Sequence, residues 1–221
     1  MAEMKESALV PSVAADEGQT STNHNTSIPQ PSRAKPVESA SEGQFDCFSV
    51  LPEEVRQNAM FCAWRYEERN GRRTKVPYNP LTGERARSND PASFCSFDQA
   101  NRVADYDGLG VGIFGGLCAI DLDDCVLNGG DLTEEAKEIV RMMNSYAEYS
   151  PSFKGIHILF MAKNFQYDAE RYYIMNHQAG MEVYVSGATN KYVTITGNIL
   201  TNDAFGDRTT ELQTILERYM L

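Results

Sequence analysis

The run from Leu109 to Ile120 is the longest apolar stretch of the chain, and it holds four glycines before it stops at Asp121. Helix is the wrong answer for it, because each interior glycine costs about 1 kcal/mol relative to alanine. A membrane span is excluded too, since that needs roughly 18 consecutive apolar residues. Buried strands remain, over Leu109 to Phe114 and Leu117 to Leu122, with Gly115-Gly116 as a tight turn that makes them a hairpin. Short strands at the centre of a chain must be completed by others that pair with them and by helices that cover them.

Those partners can be read on either side. Phe61 to Tyr66 and Thr74 to Tyr78, separated by Asn70-Gly71, form an earlier hairpin. Ser96-Phe97-Asp98-Gln99 has the form of a capping box, and Phe97, Ala100, Val103 and Ala104 mark the apolar face of the helix it starts. A second helix places Leu132, Ala136, Ile139, Val140 and Met143 on one face, and a last one Leu212, Ile215, Leu216 and Tyr219. Between them Ile156 to Met161, Met181 to Val185 and Tyr192 to Thr196 read as strands. The sum is an α+β domain around one core, with a mixed or antiparallel central sheet and flanking helices.

Residues 1–44 do not belong to that core. They contain no Phe, Tyr or Trp and keep no period of 2 or 3.6, so they predict a disordered tail, with the folded domain spanning 45–221. Glu3 and Glu6 precede the short apolar patch that Pro11 interrupts, which is unlike a secretory leader. Five cysteines, at 47, 62, 95, 118 and 125, show no zinc or redox spacing and read as reduced, mostly buried thiols. A net charge of −11 disfavours a nucleic-acid backbone over the whole chain, yet Trp64 to Arg87 carries seven basic residues against three acidic, a local +4. Within that window Trp64, Arg65, Tyr66, Arg72, Arg73 and Tyr78 suit a strand-shaped platform for phosphates and bases, the plainer alternative being a solvated hairpin.

Three motifs carry chemistry. In Ala119-Ile120-Asp121-Leu122-Asp123, side chains two apart face the same way, so Asp121 and Asp123 project together while Ile120 and Leu122 enter the core. Paired carboxylates repel each other and favour a cation between them. A solvated turn would serve as well, but the apolar strand leading in, without the further oxygens of a calcium loop, points to magnesium or manganese. Ser150-Pro151-Ser152-Phe153-Lys154-Gly155 then leads into an apolar strand interrupted only by His157. Alone, such a histidine is a core residue. With the Ser152 hydroxyl, Lys154 and backbone N–H groups at Gly155 it reads as a phosphate cradle. Glu182, on the opposite face of its strand from Met181, Val183 and Val185, is either a surface position or a third acidic ligand. Two ions about 4 Å apart on such carboxylates are what in-line phosphoryl transfer needs. Lys191 adds a cation in reach of a triphosphate.

These residues resemble the archaeo-eukaryotic primases, and within them the bifunctional primase-polymerase domains of phages, plasmids and integrative elements. The likeness spans roughly 50 to 218: Asp121-Leu122-Asp123, then Ser152 to His157, then Glu182, with Trp64 to Tyr66, Thr74 to Pro80 and Tyr192 to Asn198 as further matches. The resemblance implies an RRM-like primase core and template-directed nucleotidyl transfer, as DNA primase or DNA polymerase, in replication of a mobile element or phage. It implies two Mg²⁺ or Mn²⁺ ions on Asp121, Asp123 and Glu182, and nucleoside triphosphates contacted by His157, Ser152, Lys154, Gly155, Lys75 and Lys191. Lys191 stands where many relatives have arginine, which turns a bidentate phosphate contact into a point charge. Implied partners are a single-stranded DNA template with its primer, and no membrane; the setting is the bacterial cytosol, or a host's for a phage-encoded chain. Relatives are often fused to a helical priming region and a helicase, and no Gly-x-x-x-x-Gly-Lys-Ser/Thr occurs here. Either a separate replicative helicase supplies that part or the chain is a piece of a longer protein. The alternative reading is a catalytically silent nucleotide- or single-strand-binding replication module. A nicking initiator would need two histidines one residue apart, and the three histidines stand at 24, 157 and 177.

Overall fold

A computed structural model describes residues 46–202 and 204–221; the expected tail therefore lies outside the described residues. Among the described residues ten strands and four α-helices follow in the order α1 (Glu53–Asn58), β1 (Phe61–Arg69), β2 (Arg72–Tyr78), α2 (Phe97–Ala100), β3 (Gly108–Gly112), β4 (Leu117–Leu122), α3 (Glu134–Met143), β5 (Tyr146–Tyr149), β6 (Ile156–Met161), β7 (Met175–Asn176), β8 (Met181–Tyr184), β9 (Tyr192–Ile195), β10 (Ile199–Asn202) and α4 (Thr209–Tyr219). They build two sheets, of four strands ordered β2-β1-β3-β9 and of six ordered β10-β5-β6-β4-β8-β7. Every strand pairing described is antiparallel and the fold is α+β, so of the expected mixed or antiparallel sheet the antiparallel form holds, while the single central sheet is corrected to two.

The expected Leu109–Leu122 hairpin is corrected in the same way. β3 pairs with β1 and β9, whereas β4 pairs with β6 and β8 in the other sheet. Gly115 and Gly116, at φ +62° and +89°, turn the chain out of one sheet into the other. On each side of the break a different edge was available: the Ile113 N–H donates to the Lys191 carbonyl at 3.2 Å and the Gly116 N–H to Ser186 Oγ at 3.0 Å. The β1–β2 hairpin forms as read, its turn made by Asn70 and Gly71 at φ +52° and +72°.

Alternation along the six-stranded sheet sorts its residues into two apolar layers in place of one core. Ile120 and Leu122, Ile156, Ile158 and Phe160, and Met181 and Val183 pack with Ile139 and Met143 of α3 and Leu212, Ile215 and Leu216 of α4. The opposite face sends Leu117, Ala119, Leu159 and Tyr184 against Phe61, Leu109, Val111, Val193 and Ile195 of the four-stranded sheet. Burying one such side chain contributes about 1.5–3 kcal/mol, so both layers are substantial. α3 begins where the Thr133 hydroxyl accepts from the Ala136 N–H. α2 carries the expected capping box but ends at Ala100, short of Val103 and Ala104. Asp105 then takes a left-handed φ of +72°, a conformation that turns rather than helices use.

Glycine rhythm in β3 has a packing cause. Gly108, Gly110 and Gly112 all face away from the six-stranded sheet, where an added Cβ would lie 2.9 Å from the Trp64 ring, 2.8 Å from Tyr192 and 2.2 Å from Phe114. Three aromatic rings thus lie directly on strand backbone. All five cysteines are outside any disulfide, with Cys62, Cys95, Cys118 and Cys125 buried. Among the described residues no helix is long and apolar enough to cross a membrane.

Candidate active site

The inner face of the six-stranded sheet carries a row of polar side chains between its apolar residues. Cross-strand register sets Glu148 of β5 opposite His157 of β6, His157 opposite Asp121 of β4, and Asp121 opposite Glu182 of β8. Residues directly opposite on antiparallel strands have Cβ atoms about 4.5–5.5 Å apart, so four chemically active groups stand side by side on one surface. His157 Nε2 is 3.7 Å from Asp121 Oδ1, and the Tyr184 hydroxyl donates to Asp121 Oδ2 at 3.2 Å. Lys191 Nζ lies 3.0 Å from Glu182 Oε2 and sits over the Tyr184 ring.

Asp123 follows one step past the end of β4. Its N–H donates to the Gly180 carbonyl at 2.7 Å, and Gly155 approaches so closely that a Cβ there would be 2.3 Å from the Leu122 carbonyl oxygen. Burial, then repulsion from Asp121, Glu182 and Asp124, pushes the Asp123 carboxyl above its ordinary range, with His157 opposing. Lys75 reports the same cluster from the other sheet: burial pushes its ammonium down, while Asp121 and Asp123 act to hold the charge. The structure therefore gathers Asp121, Asp123, Glu182, His157, Lys75 and Lys191. Among the described residues, no three His, Cys, Asp or Glu side chains converge as a preformed metal cage. The donors are carboxylate oxygens, the ligand type that hard divalent cations take, and their mutual repulsion is what such a cation would relieve.

In the Ser150–Gly155 turn the N–H groups of Ser150, Phe153, Lys154 and Gly155 are engaged within the turn itself. Gly155 N–H donates to Ser150 Oγ at 3.3 Å, Lys154 N–H to Ser152 Oγ at 3.3 Å, and the two hydroxyls lie 3.0 Å apart. An anion here meets serine hydroxyls and the exposed Lys154 side chain, not a set of free backbone donors.

The basic hairpin divides between its two faces. Trp64, Tyr66, Arg73 and Lys75 share one: Arg73 stacks 3.7 Å from the centre of the Tyr66 ring, and Lys75 lies 5.8 Å from Trp64. Trp64 itself is 4% exposed, and its indole N–H donates to the Leu109 carbonyl at 2.9 Å, so its ring is part of the aromatic layer over β3. Arg65 and Tyr78 occupy the other face, where Arg65 stacks on Tyr106 at 4.3 Å and the Tyr78 hydroxyl donates to Glu67. Arg72 is exposed beside the turn.

No protein-family model matches the chain. A curated relative does: it is similar to the DNA primase-polymerase of Nitratiruptor phage NrS-1, with 33% identity over 147 residues. The aligned part is 64% of this chain and 19% of that phage protein, so the chain spans about a fifth of its relative's length. That likeness supports a primase-polymerase relationship at the level of sequence.

Sequence reading missed Glu148. It is fully buried, and its two oxygens accept from the N–H groups of Thr196 at 2.9 Å and Gly197 at 3.0 Å and from the Tyr146 hydroxyl at 2.9 Å. The available signal was a charged residue in Tyr146-Ala147-Glu148-Tyr149, just ahead of the serine turn; that four-residue strand is too short to show a period.

Proposed function

We propose that this chain is the catalytic part of a template-directed nucleotidyl transferase, a DNA primase or DNA polymerase that depends on Mg²⁺ or Mn²⁺. One observation carries the reading: Asp121 pairs across the strands with both His157 and Glu182, beside Asp123, in a chain similar to a phage DNA primase-polymerase. Asp121, Asp123 and Glu182 would hold the metal ions. Held there, divalent ions would lower the pKa of an attacking hydroxyl and neutralise a leaving pyrophosphate.

The chain's own side chains do the positioning. Lys191 beside Glu182, and Lys75 within the field of Asp121 and Asp123, place positive charge near the carboxylates, where a triphosphate would enter against the local negative field. Lys191 exchanges its Glu182 contact for a phosphate oxygen when nucleotide arrives. His157 presents Nε2 beside Asp121 and contacts the same phosphates, with Ser152 and Lys154 at the edge of the turn. The Tyr66–Arg73 pair on the Lys75 side offers a stacked, cationic surface to single-stranded template and primer. A replicative helicase would be a separate partner or a further part of a longer protein.

The test is extension of a labelled primer on single-stranded template with nucleotides and Mg²⁺ or Mn²⁺. Wild type should extend, and Asp121→Ala with Asp123→Ala should not, while both stay folded by circular dichroism. A folded wild type that binds nucleotide in calorimetry yet never extends would establish the silent binding module instead.

A further inference from the structure

The least explained group on the inner face is Glu148. An ionised carboxylate out of contact with water costs several kcal/mol unless charge or hydrogen bonds compensate. Among the described residues no lysine or arginine reaches it; Thr196 N–H, Gly197 N–H and Tyr146 O–H do, and the remaining direction of Oε1 faces His157 Nδ1 at 3.6 Å. That nitrogen is itself buried, with no hydrogen-bond partner among the described residues. The ring's other nitrogen faces Asp121 at 3.7 Å. Glu148, His157 and Asp121 thus form a carboxylate–imidazole–carboxylate line across three neighbouring strands, held by backbone register.

We infer that Glu148 is a positioning residue: it takes the Nδ1–H of His157, fixing the ring so that Nε2 is the atom presented to the active site. A buried partner on one imidazole nitrogen sets which atom the other side of the ring offers, and removing such partners typically costs about 10–100-fold in activity or affinity. The same carboxylate ties the Thr196–Gly197 turn to β5, so one buried group holds both the histidine and the loop after β9. The consequence for catalysis rests on the nucleotidyl-transfer reading; the Glu148–His157 coupling does not, and the two are tested apart.

The full chain labelled with ¹⁵N-histidine gives long-range ¹H–¹⁵N spectra from three histidines, and substitution of His24 and His177 leaves His157 alone. Neutral His157 is expected as the Nδ1–H tautomer in wild type and should lose it in Glu148→Leu, which leaves no acceptor facing Nδ1. Tyr146→Phe, which keeps the carboxylate, should retain the tautomer. In primer extension Glu148→Leu should lower kcat/KM for nucleotide about 10-fold or more, and should cost nothing further in a His157→Asn background. An Nε2–H tautomer in wild type overturns the inference, even if Glu148→Leu fails to fold. So does a folded Glu148→Leu that melts at lower temperature with the tautomer unchanged, the signature of a brace for Thr196–Gly197 only. Loss of wild-type extension with the Nδ1–H tautomer intact would sink the proposed function and leave the coupling standing.

Discussion

The two faces of the six-stranded sheet are made by alternate residues of the same strands, yet they do opposite things. Toward α3 and α4 stand Ile120, Leu122, Ile156, Ile158, Met181 and Val183, all buried and apolar. Toward the other sheet, one residue along in each strand, stand Asp121, His157 and Glu182, with Glu148 beside them. One face earns stability from area; the other spends it by packing carboxylates together at a partly buried level. What this teaches is that period-two alternation separates folding from chemistry within a single strand, and that substitutions one position apart should fail in different ways.

On the proposed reading the largest difference is in rate. Asp121→Asn should lower primer extension by at least about 1,000-fold, or about 4 kcal/mol of barrier, while its urea midpoint stays at or above wild type because a repulsive charge is gone. On the other face, Ile158→Ala should cost about 2–5 kcal/mol of unfolding free energy with extension per folded molecule unchanged. A shared loss of both properties in either variant would break the comparison. Gly155→Ala sits between the faces: its Cβ would meet the Leu122 carbonyl at 2.3 Å, so the turn must move away from Asp123. It should lose about 1–3 kcal/mol in denaturant melts and weaken extension as well. Thr133→Ala removes the cap of α3 and should cost about 1 kcal/mol by the same assay with no kinetic effect.

The smallest effect carries a sign. Asp123 is pushed above its ordinary value of 3.8, first by burial and then by Asp121, Glu182 and Asp124. The unfolded chain therefore gives up this proton more readily, so Asp123 withdraws stability as pH rises through that interval, and the deficit is complete above its folded pKa. Asp123→Asn should raise the urea midpoint at neutral pH, and the gain should vanish below pH 3.8, where both states hold the proton. A gain that persists in acid would mean the carboxylates are too well solvated to repel.

Much of this was legible from residue order. β4 and β6 fall at Leu117–Leu122 and Ile156–Met161 as read, because a run of six residues shows its period and its apolar face. Asp121, Glu182 and His157 follow from the same alternation, each being the residue that breaks it. β5, β7 and β10, of four, two and four residues, were not legible, because pairing across the sheet rather than local pattern makes them strands.

The sequence by itself determined which residues alternate, where the chain turns, and so which side chains leave the apolar face of each strand. Only the tertiary structure decided which strand lies beside which: that Gly115-Gly116 separates two sheets, that Trp64 is covered packing, and that Glu148 is placed behind His157. The reason is physical. Side-chain direction is a local property of a strand, fixed two residues at a time, whereas the neighbour across a hydrogen-bonded ladder is chosen by the burial of the whole sheet.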